Sequence, residues 1–189
     1  MRRLVATCVA VMAVSASLAV PSTWADSTTS TVDETTSTAA TTTTTTTLPP
    51  SQPPLNSGNG RRAVYSISRQ RVWVYSKNNT VVRTFAVSGR LGVPNLGTYK
   101  VRSKSSWACS ADHRKVCMRY MIRFAKGPAG GNIGFHEIPR DTSKKSRPWL
   151  QTVDQLGQPL SDGCVRESTA DAKFMWNYLK VGSVVVVVP

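Results

Sequence analysis

Val64-Tyr65-Ser66-Ile67-Ser68 and Arg71-Val72-Trp73-Val74-Tyr75, separated only by Arg69-Gln70, are two short β-branched and aromatic runs. Runs of this composition joined by so brief a link form a β-hairpin. Val81 to Val87 is a third run after Lys77-Asn78-Asn79, and the spacing continues that of hairpins. Gly89 to Gly97, with Pro94 and Asn95 inside, breaks the pattern as a loop before Thr98-Tyr99-Lys100-Val101 resumes it. Met118 to Phe124 and Ile133 to Ile138 are further strands, and Gly127-Pro128-Ala129-Gly130-Gly131 turns between them. One helix is expected: Ser168 with Asp171 three residues on makes a capping signal, Ala172, Met175, Trp176 and Leu179 share a face, and Gly182 stops it. The chain then ends in a buried strand, Val184 to Val188. The expected class is mainly β, a mostly antiparallel sandwich or barrel-like domain with one helix near its C-terminal end.

Upstream of this domain the composition changes twice. Met1-Arg2-Arg3, an apolar run from Leu4 to Val20, and Pro21-Ser22-Thr23-Trp24-Ala25 follow the order of a secretory signal, so residues 1–25 are read as a signal peptide cleaved after Ala25. An uncleaved membrane anchor is the alternative, because the run approaches the roughly 17 residues that a span can use. Either way the remainder is expected outside the cytoplasm. Cys8 precedes most of the apolar run, which argues against a lipoprotein. Residues 26–60, with the tract Thr41 to Thr47 followed by Leu48-Pro49-Pro50, are Thr, Ser and Pro with almost nothing apolar, and read as an extended linker, either bare or O-glycosylated.

Residues 61–189 have the size of one ordinary domain with a real core. This part carries 22 Lys and Arg against seven acidic residues, a net charge of about +15. Such a charge favours polyanionic surroundings and says nothing of fold. Nucleic acid is not expected: the export signal removes the chain from the genome, and no zinc-finger spacing, basic helix or aromatic RNA-binding motif is present. An anionic cell envelope fits, and a merely soluble basic surface is the blander reading.

Three cysteines fall in the exported part, Cys109, Cys117 and Cys164. Cys109 and Cys117 lie eight apart in the loop before the Met118 strand and are expected to pair in an oxidising compartment. Cys109, His113 and Cys117 have a spacing that two thiolates and an imidazole could use for zinc, yet no fourth ligand is near and the surroundings are basic, so no metal is expected. Cys164 is left alone within Leu160-Ser161-Asp162-Gly163-Cys164-Val165-Arg166. Gly163 permits a tight turn there, and Arg166 biases the thiol toward thiolate, so a nucleophile is expected in preference to a buried core thiol.

The strands, then Gly134-Phe135-His136, then Ser161-Asp162-Gly163-Cys164-Val165-Arg166, then Asp171-Ala172 on a helix, then Val181-Gly182-Ser183-Val184-Val185-Val186, resemble the YkuD-type L,D-transpeptidase family over nearly all of residues 61–189. The resemblance implies a Cys164 nucleophile that attacks the bond between the third residue and the terminal D-Ala of a peptidoglycan tetrapeptide stem. It implies His136 as its base and backbone N–H groups around Gly163-Cys164 as the oxyanion hole. Transfer of the acyl group to an amine of a neighbouring stem would give 3-3 cross-links, and transfer to water would make an L,D-carboxypeptidase. No cofactor is implied, and carbapenem-type β-lactams are expected to acylate the thiol. Arg166 keeps its family position, where it anchors the site or a substrate carboxylate, and Ser161 belongs to the same substrate-binding turn.

The sequence also departs from that family. Asp162 stands where His is usual, and an anion facing Cys164 would raise its pKa. Glu137 replaces the usual Gly after His136. Pro139 to Pro159 lengthens the interval between His136 and Cys164, and reads as a loop beside the site, a substrate lid. These departures keep open a second reading, a catalytically weakened protein of the same fold that adheres to anionic wall polymers. A papain-type protease is disfavoured, because it would want Cys before His in the chain.

Overall fold

The computed structural model describes residues 52–189. The expected signal peptide, Cys8 and all of the linker upstream of Gln52 lie outside the described residues. Ten strands, one short 3-10 turn and one α-helix make up the described part. The strands are β1 (Arg62–Ser66), β2 (Arg71–Tyr75), β3 (Val81–Ala86), β4 (Gly97–Lys100), β5 (Ser103–Cys109), β6 (Val116–Lys126), β7 (Asn132–Glu137), β8 (Arg140–Asp141), β9 (Val165–Glu167) and β10 (Val184–Val188). The helix α1 spans Thr169–Tyr178.

Two mixed sheets result, neither closed into a barrel. The first runs β3-β2-β1-β10-β4 and the second β5-β6-β7-β9, with β8 paired to β6. The meander β1-β2-β3 is antiparallel as its turns dictate. Two pairs are parallel, β1 with β10 and β7 with β9, and each joins strands far apart in the chain. Such pairs leave no turn signal, so the mainly β class was legible while its mixed character was not.

Alternation along the strands sorts residues between the sheets and the outside. Ala63, Tyr65, Val72, Val74, Phe85, Val185 and Val187 of the first sheet meet Ile122, Phe124, Ile133, Phe135 and Val165 of the second in one core, with Met175 and Leu179 of the helix. Phe124 and Phe135 stack at 4.7 Å there. Val64, Trp73 and Tyr75 form a smaller cluster on the other face of the first sheet.

Ser168 caps α1 as expected, its Oγ accepting from Asp171 N at 3.1 Å. The helix ends before Gly182, because Leu179 takes an extended backbone that drops its side chain into the core. The β5–β6 hairpin is closed at its far end by a Cys109–Cys117 disulfide. Both sulfurs are used in that bond, so the zinc arrangement with His113 does not form. A bridge across so short a loop stabilises by roughly 2–3 kcal/mol in the chain-entropy account.

Glu137 and Glu167 sit opposite each other in the parallel β7–β9 pair, both fully buried. Glu137 is satisfied: its Oε1 accepts from Arg119 N and Nε at 3.1 and 3.0 Å, and its Oε2 from Thr169 Oγ1 at 3.1 Å. Neither oxygen of Glu167 has a hydrogen-bond partner among the described residues. Burial pushes the Glu167 carboxyl well above its usual value, Asp171 adds to the effect and Arg83 opposes it.

A carboxyl that titrates near 4.5 when unfolded but holds its proton in the fold makes the native state the better proton binder. Stability therefore falls as pH rises from about 4.5 toward the folded-state pKa. Glu167→Met is expected to raise stability at neutral pH by about 1–3 kcal/mol, a gain that shrinks as pH approaches 4.5. Thermal unfolding across pH measures it, and an equal or lower melting temperature at pH 7 would contradict the account.

Candidate active site

The second sheet positions the candidate residues through one register. Phe135 pairs with Val165 and His136 with Arg166 in the parallel β7–β9 ladder. Phe135 and Val165 point into the core. Alternation then puts His136, Arg166 and, one residue before β9, Cys164 together on the opposite face. From a strand spacing near 4.8 Å and a rise near 3.3 Å per residue, the Cys164 and His136 backbones lie roughly 8 Å apart on the diagonal, within reach of thiol and imidazole.

Arg166 anchors this strand on its free edge. Its N–H donates to Ser88 O at 2.8 Å, and its C=O accepts from Ser88 N at 2.9 Å. The Cys164 N–H, two residues earlier, points to the same edge and so faces away from β7. The Gly163 N–H donates to Ser161 Oγ at 3.1 Å, which makes Ser161 the brace of the turn. Gly163 has φ +155, a conformation that L side chains rarely adopt.

His136 is 2% exposed. Its Nδ1 lies against the Glu137 carbonyl, an acceptor only, so Nδ1 carries the hydrogen and Nε2 keeps its lone pair. Burial pushes the imidazole pKa down to about 4, the Glu137 carbonyl opposes the shift, and Arg166 adds to it. The ring is therefore neutral at pH 7 and able to accept a proton.

Cys164 is a free thiol, partly exposed, with Sγ 3.5 Å from Asn132 O. Burial pushes its pKa up; the Gly134 backbone, Arg123 and Arg166 pull it down, and Asp162 pushes it up. Asp162 is exposed, and its backbone O accepts from Arg90 Nη1 at 3.5 Å. Its charge does reach the thiol in the sense that the sequence suggested. At rest both groups on this face are neutral, with the thiol directed at Asn132 O, so a nucleophile would have to be made by proton transfer to His136 during attack.

The sequence placed Gly134 in a motif without giving its packing role, and it gave no signal for Gln151. Gly134 follows the bend of β6, and a Cβ there would stand 2.4 Å from Ile122 O and 3.0 Å from Arg123 Cα. Gln151, from the long 139–159 interval, is buried and donates from Nε2 to Ser88 Oγ at 2.6 Å. Its Oε1 accepts from Arg166 Nη1 at 3.2 Å. The interval is pinned further where Asp141 N donates to Pro148 O and Gly157 N to Val87 O, at 2.9 and 2.8 Å. Arg140 also stacks on Trp149 at 3.5 Å. In this structure the expected lid lies along the site as a wall, and Arg166 is one of its fasteners.

The family model for the L,D-transpeptidase catalytic domain, YkuD, matches residues 60–187, and the chain belongs to that family. Solved structures agree in fold. An L,D-transpeptidase from Mycobacterium smegmatis is similar at 18% identity and TM-score 0.53, covering 70% of this chain and 60% of that one. One from Xylanimonas cellulosilytica gives 18% and 0.51, covering 72% and 64%. The L,D-transpeptidase LdtMt1, solved in complex with imipenem, gives 21% and 0.52, covering 69% and 60%. The chain thus spans less than two thirds of the length of these relatives. Among curated proteins none matches.

Two outcomes follow from the geometry. Gly134→Ala forces a side chain into the β6 backbone and is expected to lower stability by more than about 2 kcal/mol, read as a fall in melting temperature. Alkylation of Cys164 by iodoacetamide is expected to reach its half-maximal rate above the pH of about 8.5 typical of a free thiol. Asp162→Asn should move that profile to lower pH, and a profile already complete at pH 7 would refute the neutral resting pair.

Proposed function

We propose that the domain is a cysteine-dependent L,D-transpeptidase acting on peptidoglycan tetrapeptide stems. The observation that carries the reading is the register that sets Cys164 and a neutral His136 on one face of the second sheet, in a chain of this family. In the proposed cycle His136 Nε2 takes the Cys164 proton as Sγ attacks the carbonyl that joins the third stem residue to the terminal D-Ala. The tetrahedral oxygen is met by the Cys164 N–H on the open edge. His136 returns its proton to the departing amine, the C–N bond breaks, and D-Ala leaves behind a thioester. An amine of a second stem then attacks the thioester, its proton passes through His136 to the thiolate, and a 3-3 cross-link is released.

The sequence supports a place for this reaction outside the cytoplasm, through the signal-like residues 1–25, and the basic domain suits an anionic wall. Imipenem, bound to LdtMt1, is a fitting probe, since a strained β-lactam carbonyl presents Sγ with the same electrophile. Incubation of the exported chain with imipenem is expected to add one drug mass, and incubation with a tetrapeptide to release D-Ala. Both should vanish in Cys164→Ala, and intact-mass analysis with an amino-acid assay reads them. His136→Ala should lower kcat by roughly 10²–10⁴. Because the imidazole titrates near 4, the acidic limb of kcat/KM should lie near pH 4 and not near 6.5. A folded chain with no adduct and no D-Ala release would overturn the proposal.

A further inference from the structure

Arg123 of β6 faces the same side of the second sheet as Cys164. It pairs with Ser103 on one flank and with Gly134 on the other, and the Cys164 position continues that row one strand further. Ile122 and Phe124, its neighbours in sequence, point into the core, which turns Arg123 outward. Two strand spacings, roughly 10 Å, separate the Arg123 and Cys164 backbones. The residue between these two positions is a glycine, so no side chain rises between them, while the guanidinium itself is held on the β5 flank by Ser105.

The other cations of the site are engaged differently. Arg166 donates to Gln151 and is attracted by Asp162. Arg90 reaches the Asp162 backbone on the opposite flank of the turn. Arg123 donates from Nη1 to Ser105 Oγ at 2.8 Å, a neutral partner, and has no ion pair among the described residues. An arginine with a planar fork of donors and no carboxylate of its own, beside a nucleophile, is suited to bind one from a ligand.

We propose that Arg123 is the carboxylate receptor of this site, binding the C-terminal carboxylate of the donor peptide across the Gly134 gap. The assignment of that ligand as the donor stem rests on the function proposed above. A terminal carboxylate lies one residue, about 3.8 Å in Cα spacing, beyond the scissile carbonyl. With Sγ on that carbonyl and the last residue directed along this row, the carboxylate comes over Gly134, within reach of a guanidinium that swings there from Ser105. Arg123 thereby selects chains that end one residue past the attacked bond and rejects longer or amidated ones. It is a specificity residue and takes no part in the proton transfers.

The test separates local charge from turnover. Iodoacetate and iodoacetamide attack the same thiolate, so their rate ratio cancels its abundance and reads the potential met by a carboxylate. Relative to a free thiol such as glutathione, Cys164 should favour iodoacetate, and Arg123→Gln should reduce that preference on the order of five- to tenfold. Arg123→Lys should keep most of it. With tetrapeptide and its C-terminal amide as donors, the natural chain should prefer the free acid through KM, and Arg123→Gln should lose that preference. An unchanged reagent ratio in a folded Arg123→Gln chain, or an intact preference for the free acid, overturns the proposal. If no peptide is turned over by any variant while the reagent ratio depends on Arg123, the transpeptidase reading fails and the carboxylate receptor stands.

Discussion

The parallel pairing of β7 with β9 is the contact on which the rest of the site depends. Phe135 and Val165 hold its register by burying their side chains in the core, and the Ser88 bridge to Arg166 holds its free edge. A slip of one residue would send His136 inward and Phe135 outward, so the core itself enforces the face that carries His136 and Cys164. Gly134 belongs to the same constraint, since β6 lies too close behind it for any side chain.

That arrangement places neutral groups in a strongly basic molecule. Desolvation keeps His136 neutral with Nε2 available and keeps Cys164 protonated, while Arg123 and Arg166 pull the thiol toward ionisation and Asp162 pushes against them. Burial wins at rest because the charges of these side chains, of both signs, are screened by water and partly cancel, whereas the loss of hydration is not offset. In the proposed cycle the thiolate arises only as the substrate carbonyl is attacked, which protects a solitary thiol from oxidation between turnovers.

The wall beside the site shows how a long insertion is fastened. Gln151 inserts between Ser88 and Arg166, and the backbone of residues 141–161 bonds to β8, Val87 and Gly89. A polar side chain buried with both ends satisfied fixes a loop as firmly as an apolar anchor, because leaving either end unpaired would cost more than ordering the chain. Glu137 follows the same rule with Arg119 and Thr169, and Glu167 breaks it.

By itself the sequence determined the mainly β class, the meander β1 to β3, the capped helix, the Cys109–Cys117 pairing and the family. These follow from local signals: period-2 apolar runs, turn residues, a Ser–Asp cap, an odd cysteine in a specific motif. The candidate Cys164, His136 and Arg166 were legible for the same reason, as was the reach of the Asp162 charge. Only the tertiary structure decided that β5 and β9 are strands, since Ser103–Cys109 is polar and Val165–Glu167 is three residues long, and each is a strand only because a neighbour pairs with it. It alone decided the two parallel pairs, the bonds that fasten residues 139–159 beside the site, and the row Arg123, Gly134, Cys164. Those features join residues tens of positions apart in the chain, and no local pattern records a partner that only folding brings alongside.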